Sequence, residues 1–150
     1  MAVSNQSVRI NGDLTYDYRH AVAYGEALTY TPAVTQNVYT KLTPTLTTSE
    51  ADGITIAGDS IKIIKTGDYY VNVVCTFSGA NGNDWRLKLY RSRSGVLTAV
   101  SGSNHVTSTG ASNYVTLNYF WYVVDAAVDD GYSFRMTNTT NNDDPTITDF

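Results

Sequence analysis

Residues 69–78 carry the pattern that most constrains this chain. Tyr69, Val71, Val73, Cys75 and Phe77 alternate with Tyr70, Asn72, Val74, Thr76 and Ser78. A period of two marks a strand with one buried face, because a helix would scatter those five apolar residues around its circumference. The period recurs over residues 85–90, where Trp85, Leu87 and Leu89 alternate with Arg86, Lys88 and Tyr90 in the manner of an edge strand. It recurs again in Tyr132, Phe134 and Met136 set against Ser133, Arg135 and Thr137. Ile54 with Ile56 and Ile61 with Ile63 form two arms around Ala57-Gly58-Asp59, and Ile147 with Phe150 predicts a last strand. Turn residues stand between such runs at Asn11-Gly12, Asp52-Gly53, Gly58-Asp59, Gly67-Asp68, Asn81-Gly82 and Asp130-Gly131. Helical patterning is almost absent, and the abundant Thr, Val, Tyr and Ile suit a pleated, half-buried surface. Short strands broken by turns at this spacing predict an all-β chain folded as an antiparallel jelly-roll sandwich.

Some segments depart from clean alternation. In Tyr114–Val124 one face carries Val115, Leu117, Tyr119, Trp121 and Val123, yet the other carries Tyr114, Phe120, Tyr122 and Val124 among Thr116 and Asn118. A sandwich strand with one wet face should be polar on that face. The second face around Phe120 is therefore expected to meet protein, most economically a partner subunit. Residues 98–113, rich in Ser, Thr, Gly and Asn, predict the longest loop, and Asn141-Asn142-Asp143-Asp144-Pro145 predicts another. Residues 1–26 read as an N-terminal arm or leading strands ahead of a jelly-roll domain spanning 27–150. This segment holds Tyr16, Tyr18 and Tyr24 among charged neighbours. Such aromatics suit docking on another protein, so these three are the expected particle-attachment residues.

The function classes narrow by exclusion. The chain has 10 basic and 14 acidic residues, a net charge of -4, and a charged fraction of only 16 %. Nucleic-acid binding needs clustered basic residues; the one dense group, Arg86, Lys88, Arg91 and Arg93, reads as a solvated strand face and turn. Cys75 is the single cysteine, which excludes a disulfide framework within one chain, and its place on a core face makes it a small hydrophobe. Neither His20 nor His105 stands in a motif for acid–base or nucleophilic work, so no catalytic residue and no cofactor is expected. Asp125, Asp129, Asp130, Asp143 and Asp144 are near enough in sequence to suggest calcium, but their spacing matches no EF-hand, and they read as turn carboxylates. Tyr90 and Trp85 could stack on a sugar, although core and interface packing is the plainer reading. The first residues lack the regions of a signal peptide, and no stretch approaches the ~20 apolar residues of a membrane span. The expectation is a protein made in a reducing cytoplasm, without nucleic-acid or membrane partners.

The stretch Lys65-Thr66-Gly67-Asp68-Tyr69-Tyr70-Val71-Asn72-Val73-Val74-Cys75-Thr76-Phe77-Ser78-Gly79 resembles a central strand of the tumour necrosis factor (TNF) and complement globular-head superfamily. Val115–Val128 followed by Asp129-Asp130-Gly131-Tyr132-Ser133-Phe134 is similar to that family's late strand, acidic turn and next strand, and Thr146–Phe150 to its closing segment. The resemblance covers residues 27–150. It implies a TNF-like jelly roll that forms a homotrimer through one sheet, with Tyr114, Asn118, Phe120 and Tyr122 at the trimer interface. The chain is expected to lack the signal peptide, collagen stalk and membrane anchor of the animal members. In that respect it looks like phage virion proteins, which implies a non-enzymatic capsid decoration or head-fibre protein held to a capsid or other virion protein. The alternative is a tail-fibre tip that binds a receptor or host surface glycan.

Overall fold

The computed structural model describes residues 9–10, 14–15, 21–57 and 59–150. Among these, β1 (Arg9–Ile10) and β2 (Leu14–Thr15) pair antiparallel. Next come β3 (Ala21–Tyr24), β4 (Thr40–Lys41) and β5 (Thr47–Ala51), with β3 antiparallel to β5. The remaining strands are β6 (Ile54–Ala57), β7 (Ser60–Ile63), β8 (Gly67–Gly79), β9 (Asp84–Arg93), β10 (Val96–Thr107), β11 (Gly110–Ala126), β12 (Gly131–Asn138) and β13 (Thr146–Asp149).

Two antiparallel sheets face each other. The larger has the order β10-β9-β12-β7-β6, with β4 also paired to β12; the smaller has the order β11-β8-β13. The segment before β4 extends the smaller sheet beyond β13, through backbone bonds between Gly25 and Phe150, Leu28 and Thr148, and Tyr30 and Ile147. The alternation seen in the sequence supplies the core. Phe77 and Cys75 of β8, Trp85, Leu87 and Leu89 of β9, Leu117 and Tyr119 of β11, Met136 of β12 and Ile147 of β13 are all buried. Phe77 and Trp85 meet edge to face at 5.6 Å between ring centroids, a favoured geometry for aromatic quadrupoles. The Trp85 indole N–H donates to Ser108 Oγ at 3.1 Å, so the one polar atom of this side chain is satisfied inside. Gly79 makes room for the indole, since a Cβ there would lie 2.9 Å from the ring.

Ile54 opposes Ile63 and Ile56 opposes Ile61 across β6 and β7, as the two-armed pattern predicts. The closing strand is β13, and residues 141–145 are a loop. Two expectations are corrected. Residues 98–113 are not a long loop but most of β10 and the start of β11, joined through Ser108 and Thr109. β10 is an edge strand with much of its length exposed; Val100 and Val106 alone of its residues pack against the core, too few to show a period of two. Its pairing with β9 is set by the turn Ser94-Gly95, whose φ values of 50 and 80 are those a two-residue primed hairpin demands. The second correction concerns β9, which is an interior strand between β10 and β12 rather than an edge. Half-burial comes from having one sheet face in water, which an interior strand of a sandwich also has. The Asn11-Gly12 turn and Gly58 lie outside the described residues.

Candidate functional site

The smaller sheet has an outer face, and residues with even numbers on β8 and β11 form it. The two strands run in continuous register, with Phe120 opposite Asn72, Tyr122 opposite Tyr70, Asn118 opposite Val74 and Thr116 opposite Thr76. Tyr70 is 73 % exposed, Phe120 59 % and Tyr122 44 %, with Tyr114, Val74 and Val124 also exposed. Tyr70 sits between its neighbours, stacked on Phe120 at 5.4 Å and tilted against Tyr122 at 4.8 Å. At ~200 Å² per aromatic side chain, these three rings leave roughly 350 Å² in water. That is the size of the largest apolar patches on ordinary monomers, which are often functional. Polar groups take over further along: Asn72, Thr76, Thr116 and Asn118 are not apolar, and the Thr76 and Thr116 hydroxyls share a hydrogen bond at 3.2 Å.

The aromatic end is fastened by Asp68. Its Oδ2 accepts the Tyr122 hydroxyl at 2.8 Å and its Oδ1 accepts the Asp125 backbone N–H at 2.9 Å. Asp125 has φ of 55, and the β8–β11 register shifts between Val123 and Ala126, so this carboxylate ties down the place where the ladder breaks. The Asp125 N–H, and after it the Tyr122 hydroxyl, hold the Asp68 carboxyl below the usual range. The same hydrogen bond raises the Tyr122 phenol.

All four expected interface residues, Tyr114, Asn118, Phe120 and Tyr122, share this one exposed face. Tyr70 and Val74 belong to it too. The signal for them was present in the second face of residues 69–78, where Tyr70 and Val74 stand among polar residues. Of the attachment residues, Tyr24 is exposed on β3, while Tyr16 and Tyr18 lie outside the described residues.

Other candidates are occupied elsewhere. Asp130 is 1 % exposed and accepts Arg93 through both carboxylate oxygens, at 2.7 and 2.6 Å, together with the Ala127 N–H at 2.9 Å. Arg93, followed by the Ala127 N–H, holds the Asp130 carboxyl low against its burial. Asp129 pairs with Lys62, Asp143 accepts from Asn83 and Asn141, and Asp144 accepts the Val34 N–H. Among the described residues no three His, Cys, Asp or Glu side chains gather as metal ligands. Cys75 is fully buried, and that burial pushes its thiol up to about 12. Trp85 cannot offer a sugar platform because it is buried against Phe77 and Gly79. Tyr90 is covered in part by Tyr39 and by the Arg135 guanidinium 5.2 Å from its ring. His105 is exposed on β10, whereas His20 lies outside the described residues.

Two facing antiparallel sheets with this strand order make the chain a TNF-like jelly roll. The crystal structure of murine APRIL superposes with a TM-score of 0.58 at 10 % identity, covering 85 % of this chain and 96 % of that one. Eiger TNF from S. frugiperda gives 0.54 at 12 % identity, covering 85 % of both chains. A looser superposition, with a TM-score of 0.48 at 19 % identity, is found with PRD1 vertex protein P5, over 86 % of this chain and 94 % of that one. No protein-family model and no curated protein sequence matches the chain.

Proposed function

We propose that this chain is a non-enzymatic structural protein that assembles as a homotrimer through the outer face of β8 and β11. The observation that carries the reading is the cluster of Tyr70, Phe120 and Tyr122, held in order by stacking and by Asp68 yet largely in water. Stacked rings on a rigid sheet lose little entropy on docking and cover much area, which suits an interface core. Threefold closure would let every copy bury this patch without leaving an open end. Phe120→Asp is the direct test: it puts an unpaired charge into the contact. The variant is expected to run as a folded monomer on size exclusion, with an unchanged far-ultraviolet spectrum. A Phe120→Asp protein that keeps the wild-type mass contradicts the assembly.

The finer reading is a virion protein, a capsid decoration or head-fibre protein that stands on the particle surface. The low-charge composition, rich in Ser, Thr and Asn, supports it. Fastening to the particle is assigned to the N-terminal arm with Tyr16, Tyr18 and Tyr24. Antibodies raised against the folded chain are expected to decorate intact particles in negative stain. Particles that stay bare, while the same antibodies find the chain free in the lysate, contradict this location.

A further inference from the structure

The outer face of the larger sheet carries basic residues in cross-strand rows. Lys88 of β9 stands directly opposite Arg135 of β12, and Arg135 stands opposite Lys41 of β4, so one row holds all three. Arg86 lies one row away toward one end, and Lys62 of β7, opposite Gly131, lies two rows away toward the other. Three of these cations are neutralised: Lys41 pairs with Asp59 at 2.8 Å, Lys62 with Asp129 at 2.9 Å and Arg86 with Asp84 at 3.1 Å. Lys88 and Arg135 pair with no carboxylate among the described residues. Aromatic rings hold them instead. Lys88 Nζ stands 4.8 Å from the Tyr39 ring centre and the Arg135 guanidinium 5.2 Å from that of Tyr90, while the two rings meet at 5.9 Å. A ring face orients a cation without cancelling its charge. Like charges directly opposite on a sheet repel, a cost that an anion shared between them removes.

Farther along the same face, at the β9–β10 turn, lies a cleft of about 460 Å³. Hydroxyls from Thr55, Ser60, Ser92 and Ser94 line it, together with the exposed Lys62–Asp129 pair. An exposed ion pair of this kind is weak, so both members can turn to a ligand. Gly131 of the cleft and Arg135 lie on one strand, roughly 14 Å apart at the rise of an extended chain.

We propose that this face binds an oligosaccharide whose sugars carry carboxylates. One carboxylate divides its oxygens between Lys88 and Arg135, and the neutral hydroxyls of sugars farther along the chain enter the cleft. The planar fork of an arginine suits a carboxylate, and serine and threonine hydroxyls both donate and accept, as sugar hydroxyls do. Nucleic acid fits poorly. Its bases need open ring faces to stack on, whereas Tyr39 and Tyr90 are covered by a cation and by each other. The site lies on the opposite side of the sandwich from Tyr70, Phe120 and Tyr122, so it stands apart from the trimer reading.

Calorimetric titration of the full chain with a galacturonate oligomer tests the site. The expected result is saturable binding that weakens as salt is raised and falls by about tenfold or more in Lys88→Gln and in Arg135→Gln. The methyl-esterified oligomer, with its carboxylates capped, is expected to bind as weakly as those variants. Lys65→Gln removes one positive charge between β7 and β8, away from the row, and is expected to leave binding intact. Should Arg135→Gln lower the melt by releasing Tyr39, Lys88→Gln decides the matter alone. A wild-type chain that takes up no oligomer overturns the site. An equal loss in Lys65→Gln also overturns it, because general attraction then holds the ligand. Tighter binding of a single-stranded oligothymidylate of the same charge gives the face to nucleic acid and overturns the carbohydrate. Assembly mass by light scattering is expected to be the same in every variant; a changed mass with binding lost makes the row structural and overturns its role as a contact.

Discussion

Cys75 and Gly79 show how single residues fix this fold. The Cys75 thiol is buried in the core and raised to about 12, chiefly by loss of water and secondarily by the Asp149 charge. A raised folded-state pKa means the folded chain holds its proton when the unfolded chain has released it. That contribution is complete below the unfolded value, about 8.5, and is lost as pH climbs through 12. The thermal midpoint is therefore expected to fall between pH 9 and 11, and to fall less in Cys75→Ala; equal slopes for the two proteins would refute a buried thiol. Gly79→Ala places a methyl against the Trp85 indole and is expected to cost roughly 1–3 kcal/mol by overpacking, read from urea unfolding. Core identity was legible in the sequence wherever period-two alternation was strict, as it was for Cys75. The burial of Trp85 was equally signalled by its own alternation with Arg86, although its place beside a turn also allowed a surface role. The close approach of Gly79 to that indole had no local signal, because the contact joins strands of the two facing sheets.

At the scale of elements, apolar residues on both faces of a strand were legible in β11 and their absence misled in β10. Tyr114–Val124 carries apolar residues on both faces, and the fold leaves one face bare. β10 carries few, and an exposed edge strand needs few, so the segment resembled a loop. Asp68 joins β8 to the end of β11, and Asp59 and Asp130 anchor neighbouring turns, all three with carboxyls held below their ordinary values by hydrogen bonds. A depressed folded-state pKa stabilises above the unfolded value, about 3.9, and this is lost as pH falls through the folded one. Melting temperature is thus expected to drop below about pH 4, with Asp130→Asn flattening the drop. An identical acid limb in that variant would remove Asp130 from the account.

At the scale of the molecule, truncation separates the leading segment from the sandwich. Ala21–Tyr24 pairs with β5, so the informative cut falls after residue 20. Removing residues 1–20 is expected to abolish particle binding while the melt and assembly mass stay near wild type. A truncated chain that still binds particles removes Tyr16 and Tyr18 from the attachment, and one that cannot fold makes the segment part of the core. Within the assembly, Phe120 exposes ~120 Å² in the free subunit, so Phe120→Ala is expected to weaken each contact by about 3 kcal/mol. The central claim is that the β8–β11 face exists to be covered by another copy. Sedimentation equilibrium of the intact chain at micromolar concentration tests it most directly. The account predicts a single species of three chains of 16.4 kDa each, and a single species of one chain would contradict it.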